Sequence, residues 1–290
     1  MVNRMNVDAE TRLFLLLGQP VDHSFSPLLH NTAFAELNLN CIYLAAPVKP
    51  EQIGQAVHGL RALNVAGANV TSPHKEAVIK YLDQVSDEAR VINSVNTIVN
   101  QNGLLYGAST DGCGFFHALD EQVGREILQH PVVIFGAGGA ARAIAYTLAC
   151  RGAATIYLVN RRVSRAEELS HLLLRYSPLK QSLVRPLTGE TLKEVFSAGK
   201  LFIYTLPLDF PEFSDLLLSE QADCSSSVLY DLRYNPPVTG IMHAFEQAGG
   251  RVFNGAAMLY WQAVEAFRLF TGEPAPLEVM ASAFRSKVNF

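Results

Sequence analysis

Two groups of residues have types and spacings suited to chemistry. The first is Gly136-Ala137-Gly138-Gly139-Ala140-Ala141, a GxGxx(G/A) pattern that follows the apolar run Val132 to Phe135 and opens an Ala-rich stretch. In such a strand–turn–helix setting Gly136 permits the tight turn, Gly138 lets a pyrophosphate approach the backbone, and Ala141 keeps the helix close to the sheet. The N–H groups at the helix start carry partial positive charge, which makes Gly136, Ala137, Gly138, Gly139 and Ala140 a candidate phosphate cradle. The next strand, Thr155 to Val159, ends in Asn160-Arg161-Arg162, with Arg165 beyond. An NAD site carries Asp or Glu there for the ribose 2′-hydroxyl. Guanidinium groups fit phosphate oxygens instead, so Arg161 and Arg165 point to a 2′-phosphate and hence to NADP, with Asn160 beside them as a further candidate cofactor-binding residue. Arg162 reads as the solvated start of a helix.

The second group is polar and dispersed. Ser24 and Ser26 follow a first strand, Thr71 to Lys75 follow a third, and Asn96 and Asp111 flank an expected hairpin. Topology converges these positions on one sheet edge. Taken one at a time each has a plain structural use: Ser26 as a helix cap, Lys75 as a surface lysine, Asp111 as another cap.

The elements that must carry these residues follow from periodicity. Leu13 to Leu17 is a continuous apolar run ended by Gly18, as in a strand buried on both faces. Ser26 and Pro27 suit an N-cap and first helical position, before apolar residues at helical spacing from Leu28 to Leu37. Ile42 to Val48 and Ala66 to Thr71 read as further strands, with a helix between them. Lys75 to Leu82 is predicted as a third helix, and Ser94 to Asn100 with Leu104 to Gly107 as an antiparallel hairpin or edge pair closing the sheet. Alternating strands and helices imply right-handed crossovers, a mostly parallel sheet, and ligands at the strand ends.

A new series starts at Val132, with strands expected also at Leu201 to Thr205, Val228 to Leu232 and Arg251 to Phe253. The 290 residues exceed what one core comfortably serves, so the expected fold class is α/β with two domains. Residues 1–111 and 256–290 are expected to form one discontinuous domain bearing the dispersed polar group, and residues 112–255 a Rossmann-type NADP-binding domain. The stretch Gly112 to Gln122 links them as a helix, and the last helix, Ala256 to Phe270, returns to the first domain.

Composition narrows the partners. With 27 acidic against 23 basic side chains and no long basic run, a nucleic-acid surface is excluded as a first reading. No apolar stretch reaches the ~20 residues of a bilayer span. The four cysteines form no CxxC pair and no His spacing completes a metal set. The expectation is a cytoplasmic enzyme, monomer or homodimer, with a small-molecule substrate, no metal and no membrane partner.

Taken together, the polar segments resemble a known family. Gly18 through Pro27 with His30-Asn31, Gly67 through Glu76, Ser94-Val95-Asn96-Thr97, Thr110-Asp111-Gly112, the glycine turn, Asn160-Arg161, Tyr234-Asn235-Pro236, and Gly255 through Met258-Leu259 to Gln262-Ala263 are similar, in order, to shikimate dehydrogenases. The resemblance spans nearly the whole chain. It implies reversible NADPH-dependent reduction of 3-dehydroshikimate to shikimate, a step of aromatic amino-acid biosynthesis, in a cleft between the domains. It further implies that Ser24 and Ser26, helped by Tyr234, bind the substrate carboxylate. Thr71, Asn96 and Gln262 contact ring hydroxyls or shape the pocket, Lys75 and Asp111 carry the proton-transfer role, and Gly255 and Met258 join the cofactor site. The same resemblance leaves a quinate/shikimate or aminoshikimate dehydrogenase open, and outside catalysis a silent module that binds a dinucleotide or shikimate-like acid.

Two segments depart from the family pattern. Ser109 stands where an Asn usually precedes Thr-Asp-Gly. Tyr204 to Phe210 replaces an Asn-Ala-Thr-Pro-type loop near the nicotinamide end, where Leu206, Asp209 and Phe210 could narrow the site or repel phosphates.

Overall fold

The computed structural model describes residues 7–219 and 223–288, so the outer ends of the expected first domain, residues 1–6 and 289–290, lie outside the described residues. The chain divides into two units, one running to Gly114 and resuming at Leu259, the other spanning Phe115–Met258.

The first unit contains β1 (Arg12–Gly18), α1 (Ser26–Glu36), β2 (Cys41–Pro47), α2 (Ile53–Ala62), β3 (Gly67–Val70), β4 (Gln84–Val85), α3 (Asp87–Ile92), β5 (Thr97–Gln101), β6 (Leu104–Ala108) and the start of α4 (Asp111–Gln122). Its sheet order is β2-β1-β3-β5-β6-β4. Strands β1, β2 and β3 are parallel, whereas β5 runs antiparallel to both β3 and β6. The carboxyl ends of β1, β3 and β6 therefore share an edge with the amino end of β5, and this edge gathers the polar segments. Phe14, Leu17, Val57, Leu60, Val70 and Ile98 are buried, so the apolar runs read from the sequence form the core.

In the second unit, β7 (Val132–Phe135), α5 (Gly139–Cys150), β8 (Thr155–Asn160), α6 (Val163–Tyr176), β9 (Gln181–Pro186), α7 (Gly189–Ala198), β10 (Leu201–Tyr204), α8 (Pro211–Ser219), β11 (Val228–Asp231), α9 (Gly240–Gln247) and β12 (Arg251–Asn254) alternate. All six strands are parallel, in the order β12-β11-β10-β7-β8-β9. The order reverses between β7 and β10, the switch point at which doubly wound sheets bind dinucleotides, and the glycine turn leaves β7 there. Helix α10 (Ala256–Thr271) then enters the first unit, followed by α11 (Leu277–Arg285).

Three sequence expectations need correction. Lys75 to Leu82 is not an α-helix but a run of turns ending in a short 3-10 segment, Ile79–Tyr81. The reason is a diverted acceptor: the Lys75 carbonyl takes its hydrogen bond from the Val95 N–H at 2.9 Å, where a helix would use the fourth residue on. Strands β5 and β6 form the expected antiparallel hairpin but do not close the sheet, because the two residues of β4 pair with β6 outside it. Ser26 is the first residue of α1 rather than its cap; Phe25 occupies that position, with no side-chain cap bond.

Candidate active site

Lys75 and Asp111 meet in the first unit. The ammonium Nζ donates to Asp111 Oδ2 at 2.6 Å, with side-chain exposures of 18% and 4%. Asp111 opens α4, whose first-turn N–H groups favour a carboxylate there. Its other oxygen, Oδ1, accepts from Asn96 Nδ2 at 2.9 Å. Asn96 sits just before β5, where the antiparallel run of that strand turns it toward the Lys75 turn. It also donates to Thr110 Oγ1 at 2.9 Å, while its Oδ1 accepts the Thr110 N–H at 2.8 Å. Gln262, from α10, reaches the same group, with Oε1 at 3.4 Å from Asn96 Nδ2.

That approach depends on a residue the motifs do not single out. At Gly114 a Cβ would lie 2.6 Å from the Gln262 backbone nitrogen, so only glycine lets α10 bring Gln262 this close. Gly114 stands three residues after Asp111, but nothing in its spacing declares a helix contact.

Ser24 and Ser26 follow β1 on the same edge. The Ser24 hydroxyl donates to the Ser26 Oγ at 3.2 Å, and accepts the Ser26 N–H at 3.2 Å. Thr71 follows β3 directly, its N–H tied to the Leu17 carbonyl at 2.8 Å. The edge thus presents paired hydroxyls and an ammonium held by a carboxylate, a set able to bind an acid and to stabilise an oxyanion.

In the second unit the glycine turn fits a pyrophosphate. Gly136 has a φ of 116°, and a Cβ there would fall 2.1 Å from Thr205 Oγ1. Around Gly138 a Cβ would meet nothing within 4 Å, leaving open space at the start of α5, and no side chain caps that helix. Ala137 is buried beneath, while Gly139 and Ala140 form the first turn of α5. Asn160 Nδ2 donates to the Arg162 carbonyl at 2.8 Å and fixes the turn that carries exposed Arg161. Arg165 lies half-buried in the first turn of α6.

The remaining named residues also belong to the second unit. Gly255 lies against the Leu232 carbonyl, 2.0 Å from where a Cβ would stand, and its N–H bonds the Arg233 carbonyl at 3.0 Å. Met258 is packed into the core of that unit, in one cluster with Leu201, Ile203 and Tyr230, rather than lining a surface. Tyr234 lies in the loop after β11, and so is not one of the residues gathered around Lys75 within the first unit.

The unusual loop after β10 is held by its own ion pairs. Asp209 meets Arg233 at 2.6 Å, so its carboxylate is neutralised where the sequence suggested repulsion. Arg233 also bonds both oxygens of fully buried Asp231, at 2.5 to 3.1 Å, and lies over the Tyr204 ring. Burial works against the Arg233 charge, but the hydrogen bonds and charges of Asp231 and Asp209 outweigh it and hold the guanidinium above its ordinary value. The Tyr204 hydroxyl donates to the Leu208 carbonyl at 2.7 Å, closing the loop on itself.

A parallel sheet with a glycine turn at its switch point, joined in one chain to a unit bearing a lysine–carboxylate couple, defines a dinucleotide-dependent oxidoreductase. Comparison with known proteins narrows the class. Residues 16–98 match the shikimate dehydrogenase substrate binding domain, and residues 255–283 the shikimate 5'-dehydrogenase C-terminal domain. A shikimate dehydrogenase (NADP(+)) of Desulforamulus reducens is 40% identical over 97% of each chain. Among solved structures, shikimate 5-dehydrogenase from Listeria monocytogenes, in complex with shikimate and NAD, is 32% identical over 96% of this chain and 97% of that one, with a TM-score of 0.84. The enzyme from Thermus thermophilus, in complex with NADP(H) and shikimate, is 31% identical over 95% and 99%, with a TM-score of 0.78. The chain belongs to the shikimate dehydrogenase family.

Proposed function

We propose that this chain catalyses the NADP-dependent interconversion of 3-dehydroshikimate and shikimate, and that the observation carrying this reading is the couple of half-buried Lys75 with buried Asp111, braced by Asn96. NADPH, when bound at the glycine turn, supplies the hydride for the ring carbonyl carbon. Lys75 has three N–H donors and spends one on Asp111, which leaves donors for the carbonyl oxygen as negative charge develops there. The proton that completes the alcohol passes from the ammonium to that oxygen, and Asp111 keeps the amine in place through the transfer. Asn96 and Gln262 orient the carboxylate and meet the ring hydroxyls, with Thr71. Ser24 and Ser26, assisted by Tyr234, donate to the substrate carboxylate. Arg161 and Arg165 receive the 2′-phosphate, with Asn160 fixing the turn that carries Arg161; Gly255 shapes the adjoining cofactor surface, and Met258 supports it from the core beneath.

We assign residues 1–111 and 256–290 to the substrate domain and 112–255 to the cofactor domain. Among the described residues no helix is long and apolar enough to cross a membrane. None of the four cysteines is in a disulfide, which suits a reducing cytoplasm. The test of function is direct: purified protein with shikimate reduces NADP, faster than it reduces NAD and faster than with quinate. Binding of both ligands without turnover at any pH would sink the proposal in favour of a silent binding module.

A further inference from the structure

The polar groups of the first unit form one connected frame. Tyr43, on β2, is fully buried, and Asn69, on β3, is 5% exposed. The Tyr43 hydroxyl donates to Asn69 Oδ1 at 2.8 Å. Asn69 Nδ2 donates to the Asn96 carbonyl at 3.1 Å and to Thr97 Oγ1 at 3.0 Å. A backbone carbonyl can only accept, so the Asn69 amide has one orientation and Tyr43 must be the donor to it. Thr97 in turn donates to Asn96 Oδ1 at 3.0 Å, and Asn96 bonds Asp111.

The other end of the frame grips α1. The His30 imidazole stacks on the Tyr43 ring, with centroids 4.5 Å apart and planes 12° from parallel. The Asn31 amide exchanges two hydrogen bonds with the Tyr43 backbone, at 2.8 and 2.9 Å. Burial pushes the Tyr43 phenol well above its ordinary range, and a hydrogen bond with Ser26 acts in the opposite direction. Ser26, His30 and Asn31 thus attach one helix to one tyrosine. An apolar pair in place of Tyr43 and Asn69 would fill the same space with no polar atoms to satisfy; what the polar pair adds is direction.

We propose that Tyr43 and Asn69 are positioning residues, tying the helix that carries Ser26 to the Asn96–Asp111–Lys75 array so that the two ends of the ring site keep one separation. The inference rests on the proposed reaction for its kinetic consequence. Tyr43→Phe keeps the ring and removes the hydroxyl, leaving a buried Asn69 oxygen unpaired. The expected result is about a tenfold fall in kcat and about a threefold rise in KM for shikimate, with KM for NADP unchanged. Asn69→Ser should lose at least as much, and the double variant no more than Asn69→Ser alone, because the two act in series. A lower Tm with kcat and both KM values as in the wild type would overturn the proposal, since a merely structural role predicts that outcome. A second readout needs no substrate: in the ligand-free protein, solvent exchange of the Asn96 side-chain amide protons should quicken about tenfold in Tyr43→Phe, as the frame loosens. Unchanged exchange would also overturn it. Should the wild type fail to turn over shikimate, the functional reading falls by itself, and the exchange measurement still decides the positioning role.

Discussion

Two ion-paired clusters sit at strand ends, one in each unit, and they are built to opposite purposes. Arg233 lies between two carboxylates, and its Nε and Nη2 groups are taken by Asp231 and Asp209. Lys75 has one carboxylate, and that carboxylate is braced from its far side by Asn96. A guanidinium gripped by two carboxylates, which does not give up a proton in proteins, is a clamp, while an ammonium with a single carboxylate partner keeps N–H groups to donate. The number of partners, rather than the presence of charge, separates a fastening from a reactive group.

Removing Lys75 tests that contrast most severely. Lys75→Met should lower kcat about a thousandfold while leaving cofactor affinity nearly intact, as steady-state kinetics and NADP titration would show. Activity near that of the wild type would place the reactive proton elsewhere. Arg233→Met should act on stability instead: it leaves the fully buried Asp231 carboxylate without its counter-cation, held only by the Thr239 hydroxyl and a backbone N–H, and should cost about 3 kcal/mol in a denaturant titration. A loss much smaller than this would show that the Thr239 and backbone hydrogen bonds suffice for Asp231 and that the clamp is dispensable. Replacing Arg161 and Arg165 by Gln probes the two cations proposed to receive the 2′-phosphate. KM for NADP should rise about tenfold with KM for NAD unmoved; equal changes would remove the 2′-phosphate assignment.

The smallest expected effect concerns a group with no ionic partner. Burial lowers His30 from 6.5 to about 3, so the folded protein holds the neutral ring. Phe34, Tyr43, Phe267 and Phe270 surround it. The unfolded chain takes up a proton below 6.5, so this stability is full above that pH and is lost as pH falls toward about 3. His30→Leu should therefore reduce the acid slope by up to about 1.4 kcal/mol per pH unit, measured by urea titrations at about pH 7 and about pH 5. Identical slopes in the two proteins would mean that His30 is not buried neutral.

Much of the fold is legible in the sequence because it rests on apolar periodicity. The runs at Leu13 to Leu17 and Val132 to Phe135 announce buried strands, and the glycine turn declares its own setting. Strand β9 escapes such a reading because Gln181 to Pro186 is a half-exposed edge strand without a clear alternation. The Lys75 turn passes for a helix, since the bond that diverts its carbonyl comes from Val95, twenty residues on. The candidate site divides along the same line. Short motifs expose Ser24, Ser26, Lys75 and Asp111, whereas Tyr43 lies inside an ordinary strand pattern and Arg233 carries no spacing signal. Their roles depend on partners that only the folded chain brings near.

The turn between β5 and β6 has a further consequence. Asn102 and Gly103, at φ of 55° and 92°, make the two-residue connection that pairs Gln101 with Leu104 and, at the far end, Thr97 with Ala108. This distant turn works as the ruler that sets where Asn96 falls. Lengthening it by a single residue would invite the strand to slip and flip its faces, disarming the enzyme without altering any side chain that meets the substrate.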